Sequence, residues 1–311
     1  MEKYYIRFDW AVKKILRQKA NYVVLEGFLT VLLKETIKIK QLLESEGNQE
    51  SEDDKFNRVD MLAENEKGEL LIIEIQNTRE LSYFHRMIYG TSKAICERIK
   101  IGDDYDKVKK VYSINIVYFE IGYGKDYVYH GKTEFRSLHN PDEILQLTAS
   151  QKRQFQKEGV GDIFPEYYVI RVDEFDKTAV DPLDEWISFL KTSIIPEDAT
   201  APGLKEAKEI MSLDAMNSKD RRIYERHLDN LRYQRSVIKT QRIEGREEGL
   251  EEGRAIGEEI GRVKGRAEGR TEEKITIVKN LISLGMDFDQ ISKVVNLSIE
   301  EIEKYLNNPT K

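Results

Sequence analysis

The 311-residue chain is poor in cysteine, histidine and proline, and each scarcity removes a class of protein. A single cysteine, Cys96, rules out an intrachain disulfide framework. Four histidines, His85, His130, His139 and His227, are too scattered to give zinc-ligand spacing. No apolar run reaches the length of a membrane span: the longest, around Val23 to Leu33, is interrupted by Glu26. The segment MEKYYIRFDW carries an acid at position two and no apolar stretch of the kind that directs export. A cytoplasmic protein with no membrane partner is the expectation. There is also no excess of positive charge: 57 acidic against 50 basic side chains leave a net charge of -7. The whole molecule is therefore not a polycation, and any contact with nucleic acid must come from a local patch.

What is present is charge and helical periodicity. Charged residues make up 34% of the chain, so much of its length is solvated surface beside one sizeable core. Residues 8 to 41 read as two helices, with Val12, Ile15 and Leu16 before a break and Val24, Phe28, Val31 and Leu32 after it. The acidic stretch from Gln41 to Asp54 reads as a loop. Phe56 to Glu64 and Glu69 to Gln76 read as two strands joined by Asn65-Glu66-Lys67-Gly68, where glycine supplies a left-handed turn residue. Leu81 to Ile101 follows as a helix closed by Gly102, and Val111 to Glu120 as a buried strand. Tyr127 to Arg136 and Tyr167 to Val172 are further strands, which gives one α/β or α+β domain.

The chemistry concentrates in the predicted hairpin. Side chains at i and i+2 of a strand share a face, so Glu74 and Gln76 interrupt an otherwise apolar run on the same side as Ile72. A three-residue turn pairs Asn65 with Glu69 and puts Asp60 directly opposite Glu74; a four-residue turn shifts that pairing by one. Opposed residues have Cβ atoms about 4.5 to 5.5 Å apart, close enough for two carboxylates to hold one divalent cation. Hard oxygen ligands with water in the remaining positions suit Mg2+ or Mn2+, which stabilise charge on a phosphate and acidify a bound water. The bland alternative is a solvent-facing pair on an edge hairpin. On the next helix, Arg86, Tyr89 and Lys93 lie at three- and four-residue steps on one face, suited to the phosphate backbone of DNA, or else to an ordinary solvated surface with a packed tyrosine. Glu26 and His85 read as incidental surface residues.

The run VDMLAENEKGELLIIEIQNTRELSYFHRMIYGTSKAI resembles the Rpn family of recombination-promoting nucleases and transposases, a branch of the PD-(D/E)XK nuclease superfamily. Asp9 to Lys13 (DWAVK), the strand at 111 to 120, YYVIRVDEF and PLDEWISFL are similar to family blocks in the same order, so the resemblance covers about residues 4 to 190. It implies a restriction-endonuclease-like mixed sheet flanked by helices. It also implies metal-dependent hydrolysis of DNA, with Asp60 and Glu74 as metal ligands and Gln76 in the superfamily's lysine place. Val59 replaces the proline before the aspartate. Glutamine lacks the lysine's charge but can still orient an attacking water. The family also places an arginine and a tyrosine on the following helix. The rival readings are an inactive nuclease fold serving as a DNA-binding or protein-interaction scaffold, and a transposase using a different acidic triad, for which a third well-spaced carboxylate is not found.

Four segments are expected: a nuclease-like domain over 1–178, a helical region over 179–240, a Gly/Glu/Arg-rich helical linker over 241–274 and a small helical module over 275–311. In the linker, glycine recurs at every fourth position from Gly245 to Gly269. Seven glycines cost a helix on the order of 7 kcal/mol relative to alanine, so this stretch reads as a charged spacer or as a homo-oligomer contact. The last helices carry too many glutamates to read DNA, with Ser298 as an N-cap for IEEIEKYL.

Overall fold

The computed structural model describes residues 4–43 and 60–307, so the expected loop beyond residue 43 and the first part of the hairpin's leading strand lie outside the described residues. The chain divides into two compact units, Met1–Arg232 and Tyr233–Lys311.

The first unit is built on a six-stranded mixed sheet. Helices α1 (Phe8–Lys14) and α2 (Tyr22–Leu33) precede β1 (Ile39–Leu43), β2 (Met61–Asn65) and β3 (Leu70–Gln76). Helix α3 (Tyr83–Cys96) crosses to β4 (Val111–Val117), followed by β5 (Val128–Gly131), α4 (Ala149–Phe155), β6 (Glu166–Arg171), α5 (Pro182–Thr192) and α6 (Leu204–Ile210). The strand order is β1-β2-β3-β4-β6-β5. The β3–β4 and β4–β6 pairs are parallel, and the pairs β1–β2, β2–β3 and β5–β6 are antiparallel. This is a restriction-endonuclease-like α/β arrangement.

Strand β3 is buried on both faces, as a strand flanked by a parallel neighbour and covered by helices should be. Leu71, Ile73 and Ile75 face the main core with Phe8, Val12, Phe28, Trp186 and Leu190. Leu70 and Ile72 face the other way, against Leu62 and Ala94 of α3. The alternation places Glu74 on the α3 side of the sheet.

Two expectations need correction. Residues 39–43 are neither the end of a helix nor the start of the loop expected from Gln41: they form an edge strand paired with β2. Lys34 adopts the left-handed conformation at φ 57° and ends α2, after which buried Ile37 and Ile39 alternate with exposed Lys38 and Lys40, a two-residue period that the preceding helical pattern masks. Helix α4 was not expected at all; its sequence ASQKRQF is short and polar, and a Thr148–Gln151 capping box holds it.

A buried polar cluster fixes α1 against the end of β3. Asp9, fully buried, accepts from Arg7 Nε at 3.1 Å and from Asn77 Nδ2 at 3.0 Å, and lies 3.1 Å from His227 Nε2. Arg7 closes the ring by donating to Asn77 Oδ1 at 3.2 Å. Asn77 directly follows the last residue of β3. Tyr224 packs edge-on against Trp10 and accepts the Arg7 backbone N–H. His227 and Tyr224 lie near the start of α7 (Ser218–Ser283), which runs on into the second unit.

Within the second unit, α7 is helical through the glycine repeat, and residues 238–270 are exposed without exception. Its last turns join α8 (Phe288–Val295) and α9 (Ile299–Asn307) around a small core of Val278, Ile291 and Ile302. Ser298 accepts the Glu301 backbone N–H at 3.2 Å, as its place before α9 predicts. Among the described residues, no helix is long and apolar enough to cross a membrane.

Burial alone would raise the Asp9 carboxyl, but the hydrogen bond to His227 and the charge of Arg7 outweigh it and hold it well below its ordinary value of 3.8. A depressed carboxyl stabilises the native state above its unfolded pKa and loses that contribution as pH falls. Asp9→Asn is expected to cost about 3 kcal/mol at pH 7. In thermal unfolding, its deficit against the parent chain should shrink as the pH drops below 3.8.

Candidate active site

The site begins with hairpin register. Gly68, at φ 79°, lets the chain reverse in three residues, with its N–H donating to Asn65 O at 3.0 Å. The Asn65 side chain clamps Glu69 on the far side of the turn through two hydrogen bonds. The β2–β3 pairs run Glu64 to Leu70, Ala63 to Leu71, Leu62 to Ile72 and Met61 to Ile73, and Asp60 follows in line towards Glu74. Of the two turn lengths compatible with the sequence, the three-residue form is the one present.

The two acids are joined by reciprocal backbone contacts. The Asp60 N–H donates to Glu74 Oε2 at 3.1 Å, and the Ile75 N–H donates to Asp60 Oδ2 at 2.8 Å. Each carboxylate is thereby anchored by the strand that carries the other. Their remaining oxygens meet cations from opposite sides: Lys13 Nζ of α1 lies 3.0 Å from Asp60 Oδ1, and Arg86 Nη2 of α3 lies 2.6 Å from Glu74 Oε1. Arg17, just beyond α1, donates to the Asp60 carbonyl at 2.6 Å. Glu74 is only 6% exposed. Desolvation and the neighbouring Asp60 charge raise its carboxyl above the ordinary value of 4.5, and Arg86 offsets part of that.

Below Glu74 is a cavity of about 10 Å³, roughly the room of one water, lined by Glu74, Tyr83, Arg86, Ser113 and Asn115 among others. Asn115 is in register with Glu74 on β4 and accepts the Tyr83 hydroxyl at 3.3 Å. Arg86 Nε is buried without a hydrogen-bond partner, so the guanidinium keeps one unspent donor beside this cavity.

The other residues singled out in the sequence stand apart. The Gln76 amide turns along its own strand end and donates to Thr78 O at 3.2 Å, rather than towards the two acids. Tyr89 is exposed, and Lys93 pairs with Glu97 at 3.8 Å, so neither joins Arg86 at the carboxylates. Three-residue steps along α3 carry the tyrosine off the line that Arg86 occupies, and the cavity takes Gly90 instead. Glu26 ties α2 to β1, accepting the Ile39 N–H at 2.8 Å and pairing with Lys38.

Lys13, Arg17 and Asn115 were not identified as site residues. The signal for the first two was there: Asp9, Lys13 and Arg17 recur every four residues, which on a helix makes one charged line. What could not be read was that Lys13 and Arg17 face Asp60, because those contacts join residues far apart in sequence.

Two hard carboxylates, each about 3 Å from a backbone N–H of the other's strand and met by the half-exposed Lys13 ammonium and by Arg86, form a donor set that fits a divalent cation. Among the described residues, no third acid, histidine or cysteine joins them. Remaining ligands would be backbone oxygen, water or phosphate.

A carboxyl whose pKa is raised on folding favours the native state below its unfolded pKa and ceases to do so as pH rises through the folded value. Glu74 therefore stabilises the fold at low pH and burdens it when ionised. Glu74→Gln is expected to improve stability relative to the parent by about 1 kcal/mol at pH 8 and not at pH 4, in unfolding curves recorded without divalent ions.

No curated protein and no solved structure matches the chain. Residues 6–148, which carry both acids, the two cations that meet them and Asn115, match the family model described as PD-(D/E)XK nuclease family transposase. With the mixed sheet and the paired acids at the end of its hairpin, this part of the chain is similar to the PD-(D/E)XK nuclease family of transposases.

Proposed function

We propose that the first unit is a metal-dependent DNA endonuclease, linked through its family to DNA recombination and transposition. The observation that carries the reading is the carboxylate pair itself: two acids from neighbouring strands are held together across the hairpin although burial and mutual repulsion oppose the ionisation of Glu74. Asp60 and Glu74 would hold Mg2+ or Mn2+, which supplies Lewis acidity and an acidified water when bound. Arg86 holds Glu74 in place and keeps an unspent, buried Nε–H, which a water in the neighbouring cavity can accept.

Gln76 retains the task of orienting the attacking water, once its amide leaves Thr78 O. It brings no charge. Lys13 does, from a different element, and it reaches the same carboxylate that a strand lysine would neighbour. With Asp60 holding a divalent ion, the Lys13 ammonium would be available to meet the developing charge of the phosphate. Tyr89 and Lys93, further along α3, would extend the contact to the DNA backbone beyond the scissile position. The C-terminal helices serve as the self-association element of a homo-oligomer. A scaffold without catalysis is the second reading, favoured by the lack of a third protein ligand among the described residues.

In plasmid-nicking assays with Mg2+ or Mn2+, Asp60→Ala should fall to background, and Lys13→Ala should slow cleavage on the order of a hundredfold while Mn2+ binding by calorimetry persists. Arg86→Ala should lower both DNA affinity and rate with the fold intact. Equal nicking by the parent and Asp60→Ala, or none by either, would establish the scaffold instead.

A further inference from the structure

The least supported part of the fold is the middle of α7. Residues 238–270 touch solvent on every side, and Leu250, Ile256, Ile260 and Val263 are 64%, 59%, 52% and 56% exposed. Glycine every four residues weakens the helix further. Internal ion pairs such as Arg254 with Glu258 and Arg262 with Glu259, each at 2.8 Å, return only a few tenths of a kcal/mol apiece. A helix of this kind needs an external partner, and the order of its charges says which.

Counted outward from Gly257, ten of the sixteen charges between residues 242 and 272 mirror each other with the sign inverted. Glu252 and Arg262 are equidistant from it, as are Glu248 and Arg266, Arg246 and Glu268, Glu244 and Arg270, and Arg242 and Glu272. Between residues 242 and 272 no equidistant pair carries two like charges. The glycines follow the same centre, so that each finds another glycine at its mirror position. In an in-register parallel pair every charge would sit beside its own copy, acid by acid and base by base. An antiparallel pair with its two-fold axis at Gly257 sets those five acids level with five bases instead, and does so twice by symmetry, while Glu247, Glu251, Arg254, Glu258, Glu259 and Lys264 meet uncharged positions.

We propose that α7 pairs with α7 of a second copy of this chain, antiparallel, with the two-fold axis passing close to Gly257. This gives a geometry to the self-association read above and rests on it. Glycine at the crossing lets the backbones approach closely, and the exposed Ile256 and Ile260 beside it are covered by the pairing. A four-residue repeat is longer than the 3.6-residue turn, so the contact stripe winds in the right-handed sense and the helices cross rather than run along a left-handed seam.

The test uses the full chain carrying Cys96→Ser, with Glu248→Cys and Arg266→Cys made separately. Mixing the two variants and oxidising them should give a disulfide between unlike chains, whereas neither variant alone should link to itself. Sedimentation should show a dimer whose dissociation constant rises roughly tenfold or more in Glu248→Arg with Glu252→Arg, and returns when Arg262→Glu and Arg266→Glu are added. Self-linking of Glu248→Cys at least as efficient as the mixed reaction would overturn the antiparallel arrangement while leaving an oligomer. A monomer at every attainable concentration would overturn both that arrangement and the self-association reading. Failure of the charge swap to restore pairing would sink the mirror-charge argument.

Discussion

The site depends on the register of one hairpin. A strand's side chains alternate, so a slip of one residue between β2 and β3 would take Asp60 away from Glu74 and aim it into the apolar side of the sheet. Gly68 and the Asn65–Glu69 clamp prevent that slip by fixing the turn at three residues. Once the register is set, repulsion between the two acids is contained by geometry, since each accepts a main-chain N–H from the other's strand before any cation is considered. The cations then arrive from helices on either face of the sheet.

That division between strand and helix separates two requirements usually met by one element. The acids are held by two buried neighbouring strands, Asp60 directly before β2 and Glu74 within β3, where position is precise and, for Glu74, desolvation is severe. The ammonium and guanidinium stand at their edge, with Lys13 about half exposed, where they can move without disturbing the core. Strand β3 keeps these needs apart by alternation alone: Ile73 and Ile75 pack into the main core while Glu74 between them turns to the opposite face.

How much of this could be read beforehand varied with sequence separation. The hairpin, β3, α3 and β4 were legible because their periodicity is strong and their turn residues are explicit, and the facing of Asp60 and Glu74 followed from counting across the turn. Strand β1 was hidden because Ile37 and Ile39 continue an apolar rhythm begun by α2. Lys13 was within a recognised block, yet nothing local says which way α1 points. The Asp9 cluster was still less visible, since it needs His227 and Tyr224 from far along the chain. Gln76 shows the reverse case: its face was deduced correctly from alternation, but its rotamer is set by Thr78 O, a preference no pattern reports.

Tyr224 and His227 also redraw the practical borders of the domain. The family match stops at residue 148, and a fragment cut there, or anywhere before the first turns of α7, would leave Asp9 buried without its imidazole neighbour and strip the ring that covers Trp10. A fragment that keeps the Asp9 cluster and the ring over Trp10 therefore has to reach past residue 227. Limited proteolysis of the native chain should respect the same frontier, cutting along the exposed helix beyond it rather than behind it.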